Sequence, residues 1–109
     1  MIASASEPSV LILRALATPA RMEICWLLAQ GERAVTDIAD ELELPQPLTS
    51  HHLRKLKEAG LVKARRQGSW TYYALRPGPM AALAEELAGM VEASEAARKP
   101  PAGAGVLRE

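Results

Sequence analysis

The 109-residue chain has a single cysteine, Cys25, so an intrachain disulfide framework is excluded and a reducing, cytoplasmic setting is expected. Long apolar runs are missing too. The longest, ICWLLA, has six residues, against the roughly 18–20 of a membrane span. The opening MIASASEPS carries no basic stretch, so no secretory leader is expected. There is no internal repeat, no nucleophile–base pair and no glycine-rich cofactor loop, which argues against an enzyme. Formal net charge is zero, with 13 cations and 13 acids. That balance at first argues against a nucleic-acid partner.

The distribution of charge reverses the argument. Between Pro45 and Arg76 lie Arg54, Lys55, Lys57, Lys63, Arg65, Arg66 and Arg76 against Glu58 alone. One basic block on an otherwise acidic chain is the footprint of a surface that neutralises phosphates. A merely solvated charged face is the competing reading.

A chain of this length makes one domain with one core. Residues 1–8 read as a flexible lead, 9–97 as the domain and 98–109 as a tail expected to be disordered. VLILRALA, Val10–Ala17, is a short apolar helix. Thr18-Pro19 starts a second helix that runs to about Gln30 and stops at Gly31. It places Met22, Trp26 and Ala29 on one side, with Cys25 and Leu28 adjoining. A third helix is expected to be capped by Thr36, with Ile38, Ala39 and Leu42 inward. A fourth spans Gln46 to Ala59 and is stopped by Gly60. The apolar period then falls to about 2, and two β-rich runs flank Gly68-Ser69 as a hairpin. A last helix runs from Met80 to Ala97. The order is that of a mainly α, winged helix-turn-helix domain with a small β-hairpin wing.

The fourth helix carries the chemistry. With Ser50 at 0° and a step of about 100° per residue, Gln46 falls near about −40°, Lys57 about −20°, Arg54 about +40° and His51 about +100°. Thr49, Leu53 and Leu56 fall between about −60° and −120°, with His52 beyond them. A leucine stripe for the core therefore lies beside a polar stripe suited to the major groove. Gln46 can bond an adenine edge, Arg54 a guanine edge or a phosphate, and Ser50 either kind of partner. The adjacent His51 and His52 point about 100° apart, whereas helical zinc ligands use i, i+4 spacing, and no carboxylate or nucleophile accompanies them for catalysis. His51 is expected to face DNA, with a purely structural role as the alternative. His52 is expected to be half-buried and hydrogen-bonded.

Around the hairpin turn, Lys63, Arg65, Arg66 and Ser69 offer phosphate contacts, which give affinity without reading sequence. Thr36 and Lys57 are expected to add two more. Trp70 and Tyr72 suit either RNA stacking or coverage of the core edge, and the second is commoner. Cys25, between Ile24 and Trp26, reads as a buried inert thiol, with redox sensing as the alternative.

From Leu16 to Leu75 the chain resembles the ArsR/SmtB family of bacterial winged-helix repressors. LATPAR matches that family's L-x-x-P-x-R, followed by a Gly-Glu turn, the S-x-H-L-x-x-L-x-x-A-G-L-V helix and the G-x-x-x-Y-Y-x-L wing. The resemblance implies a homodimer, built from the first and last helices, that binds a palindromic operator in double-stranded DNA. Val10, Leu11, Leu13, Leu83, Leu87, Met90 and Val91 would form its interface. Two departures stand out. Pro45 occupies the place of a capping serine, with Leu48-Thr49 following where Thr-Val order is commoner. The family's metal-binding thiolates match Ala34 and Thr36, which cannot ligate, and the last helix has Glu85, Glu86, Glu92 and Glu95 but no histidine. No metal or cofactor is expected. The expectation is a DNA-binding regulator, an autoregulating repressor released by an unidentified effector. A protein-interaction module on the same fold is the alternative.

Overall fold

A computed structural model describes residues 7–98. Eight elements follow in order: α1 (Glu7–Leu16), α2 (Pro19–Ala29), β1 (Arg33–Ala34), α3 (Val35–Leu42), α4 (Gln46–Glu58), β2 (Val62–Gln67), β3 (Trp70–Leu75) and α5 (Pro77–Arg98). The expected lead and tail lie mostly outside the described residues. Glu7 and Pro8, expected in the lead, instead open α1, and Arg98 closes α5. Proline costs nothing in a first helical turn, where its missing N–H has no partner to lose. The same reason lets α5 begin at Pro77, ahead of the expected Met80.

Thr18 caps α2 as expected, its Oγ1 accepting from the Arg21 N–H at 3.1 Å. The Met22–Trp26–Ala29 side of α2 faces outward, and Trp26 is 70% exposed. The buried side is Ile24, Cys25, Leu27 and Leu28. A helix apolar on most sides leaves that choice to its neighbours.

Thr36 does not cap α3. Ala34 occupies the N-cap and supplies no side-chain bond, because Arg33 and Ala34 are drawn into a strand against Tyr73 and Tyr72. The sheet is therefore three-stranded and antiparallel, in the order β1-β3-β2. α3 ends on Glu43, whose φ of 56° turns the chain sharply, and Leu44-Pro45 lead directly into α4. Gly68, with φ of 63°, takes the left-handed conformation that the two-residue hairpin turn demands.

The core gathers Ile12, Ile24, Leu28, Ile38, Leu53, Leu56, Leu61, Val62 and Leu83, with Tyr73 and Leu75 packed against it. α1 and α5 lie together, joined by Ser9 Oγ donating to Glu86 Oε1 at 2.6 Å. Leu83 at 6% exposure belongs to this core rather than to an outer face. Expected at the interface, it is buried within one chain, on the helix that packs against α1. Val10, Leu11, Leu13, Leu87, Met90 and Val91 are all exposed.

Candidate nucleic-acid interface

α3 and α4 form a helix-turn-helix, and the sequence explains which way α4 faces. Thr49, Leu53 and Leu56 have no exposed surface, so they anchor the helix against the core. Thr49 sits there without an unpaired hydroxyl, because its Oγ1 donates to the Pro45 carbonyl at 3.1 Å. That orientation turns Gln46, His51, Arg54 and Lys57 outward and leaves Ser50 half-buried. The stripe of Thr49, Leu53 and Leu56 read from the sequence is the buried one, and the polar stripe is exposed except at Ser50. Pro45 stands at the N-cap and makes no side-chain cap bond, and Pro47 has no N–H, so the uncapped backbone donors of the first turn of α4 are those of Gln46 and Leu48.

His52 is half-buried at the base of the helix. Its Nδ1 accepts from Arg21 Nε at 3.3 Å, and Arg21 Nη1 donates to the Ala15 carbonyl at 3.1 Å. Burial first, then the charges of Arg21 and His51, holds the imidazole below its ordinary value of 6.5. Arg21 thereby ties the ends of α1 and α2 to the back of the reading helix. Sequence reasoning named His52 but missed Arg21 as its partner, since 31 residues separate them.

A notch of about 210 Å³ separates α4 from the wing, lined by Val35, Thr36, Gln46, Ser50, Ser69, Trp70, Thr71 and Tyr73. Thr36, Gln46, Ser50 and Ser69, scattered over 34 positions, converge there. The lining is hydroxyl, amide and aromatic apart from Val35, with no acid to repel a phosphate. Lys57, Lys63 and Arg66 are exposed. Trp70 is half-exposed, unlike the covered ring expected of it.

Arg65, expected as a phosphate contact, is paired within the chain although its side chain stays 49% exposed. Its Nε and Nη2 donate to Glu32 Oε2 and Oε1 at 3.1 and 2.8 Å, its Nη1 to Gln67 Oε1 at 2.6 Å. Its guanidinium also lies 4.7 Å from the centre of the Tyr72 ring. The hydrogen bond to Arg65 lowers the Glu32 carboxyl pKa, and the same bond raises that of Arg65. Cys25 is buried, and burial pushes its thiol up to about 11. Among the described residues no group of three or more His, Cys, Asp or Glu side chains is arranged to hold a metal ion. No helix among them is long and apolar enough to cross a membrane.

The family model for bacterial regulatory proteins of the arsR family matches residues 18–64, from the cap of α2 into β2. An arsenic resistance transcriptional regulator of Pseudomonas putida is 37% identical over 93 residues, 84% of this chain and 73% of that protein. The chain belongs to the ArsR family. A biofilm growth-associated repressor of Agrobacterium fabrum is 40% identical over 76% of this chain and 70% of its own length. The solution structure of a homodimeric winged helix-turn-helix DNA-binding domain from Mycobacterium bovis matches with a TM-score of 0.66 at 36% identity, covering 79% of this chain and 81% of that one. This ArsR-family chain is accordingly a transcriptional regulator with a winged-helix DNA-binding domain, not an enzyme.

Proposed function

We propose that this regulator is a homodimeric repressor that reads a palindromic operator in its own promoter and is released by an effector. The observation that carries the reading is the exposed polar stripe of α4. Gln46, Ser50, His51 and Arg54 read base edges, while Thr36, Lys57, Lys63, Arg66 and Ser69 anchor the flanking phosphates. The open first turn of α4 adds backbone N–H donors for one more phosphate.

Dimerisation rests on Val10, Leu11, Leu13, Leu87, Met90 and Val91, which are six of the ten large apolar side chains exposed among the described residues. So large an apolar surface on two adjacent helices calls for a partner. The homodimeric Mycobacterium bovis neighbour supports a second copy as that partner. Two reading helices then meet DNA about one turn, ~34 Å, apart. The effector acts by changing that spacing. Ala34 and Thr36 offer no metal ligand at the start of α3, so its chemistry lies elsewhere. A redox input through Cys25 has less support, because a thiol with so high a pKa stays protonated and unreactive at neutral pH.

Footprinting on the DNA upstream of its own gene tests the proposal. Two protected half-sites, about ten base pairs apart centre to centre, are the expected result. Uniform weak protection, equal to that of random duplex, would turn the reading to a protein-interaction module on the same fold.

A further inference from the structure

Arg65 and Arg66 are neighbours in β2, so their side chains leave opposite faces of the wing. The register shows which face is which. Arg66 lies across from Thr71, which lines the notch with Gln46 and Ser50. Arg65 lies across from Tyr72, on the face turned away from the reading helix and toward the turn after α2. Glu32 waits in that turn, immediately before β1, and takes the guanidinium in a two-pronged bond. Gln67 and the Tyr72 ring occupy its remaining sides.

A guanidinium so engaged has its charge compensated, and compensated charge releases no counterions from DNA. Its forked geometry instead fixes direction, which a lysine in the same place would not do. The wing is otherwise attached by the β-ladder and by the packing of Val62, Tyr73 and Leu75 on the core. We propose that Arg65 is a positioning residue for DNA binding: clamped to Glu32 and Tyr72, it sets the angle of the wing and leaves the phosphate contact to Arg66. This inference rests on the DNA-binding reading above.

The test measures affinity for promoter DNA against salt in the wild type and three variants. Arg66→Gln is expected to reduce the salt slope by about one per subunit. The double variant Glu32→Gln with Arg65→Gln removes the clamp with no change in local net charge. It is expected to weaken binding about two- to fivefold at an unchanged slope. Hydroxyl-radical protection should shrink at the outer flanks and persist where α4 binds. Glu32→Gln alone, which frees Arg65, is expected to weaken binding as well. A slope that falls in the double variant as it does in Arg66→Gln would overturn the inference, as would tighter binding by Glu32→Gln. A wild-type chain without salt-dependent DNA binding would overturn this inference and the function proposed above together. Wild-type binding with the wrong variant pattern overturns only this one.

Discussion

Arg21 and His52 are joined at 3.3 Å, with the guanidinium donating and the imidazole Nδ1 accepting. That contact links the start of α2 to the buried flank of α4, so the reading helix is aimed by a bond that requires a neutral histidine.

The first prediction follows from that requirement. The folded chain holds the His52 pKa below the 6.5 of the free side chain, so the unfolded state binds more protons as pH falls through that value. Stability is therefore full above pH 6.5 and declines as the pH drops toward the folded value. Urea midpoints at about pH 7.5 and about pH 5.5 check it. His52→Gln keeps an acceptor that does not titrate, and should shrink the difference between the two midpoints. An undiminished difference would assign the pH response to other groups.

A second prediction concerns assembly. Met90 is 59% exposed, so Met90→Glu should preserve the helical content seen by circular dichroism. It should nevertheless weaken dimerisation about 100-fold, by placing a charge in an apolar contact. Sedimentation velocity distinguishes monomer from dimer. A variant that remains dimeric at low concentration would place the interface elsewhere.

The N-cap of α4 gives a third. Pro45→Ser supplies the missing cap bond, about 1 kcal/mol, but gives up the rigidity of proline, about 0.4–1 kcal/mol. The two nearly cancel, so thermal unfolding should shift little. Affinity for DNA should fall, because the new hydroxyl takes up an N–H that the uncapped first turn otherwise offers to a phosphate. A large loss of stability would show that the ring of Pro45 packs more than it caps.

Cys25 supplies a fourth. With its pKa near 11 against an ordinary 9.0, the thiolate fraction at neutral pH is reduced about 100-fold. An aromatic disulfide reagent should therefore label the native chain far more slowly than the urea-unfolded chain. Labelling at the unfolded rate would reopen thiol chemistry as the input to this regulator.

How much of this was legible beforehand depended on whether the signal was local. The reading helix was legible because a 100° step places Thr49, Leu53 and Leu56 together and Gln46, Ser50 and Arg54 together, whatever the rest of the chain does. The hairpin was legible from alternation around Gly68-Ser69. β1 was not, because two residues, Arg33 and Ala34, have no period and owe their extended form to pairing with β3. That pairing also displaced the expected cap at Thr36. Leu83 is buried within one chain, and a helical stripe does not say whether its own chain or a second copy covers a residue. Glu32 and Arg65 lie 33 residues apart, and nothing in either segment announces their clamp.

The central claim is that the outward stripe of α4 reads sequence. Its most direct measurement is the ratio of affinities for the promoter DNA and for random duplex at about 0.15 M salt, in the wild type and in Arg54→Ala. A wild-type preference of about 10³-fold or more, cut at least about fivefold in Arg54→Ala, is the predicted result. Equal affinities for the two DNAs in the wild type, or a preference that Arg54→Ala leaves intact, would contradict the account.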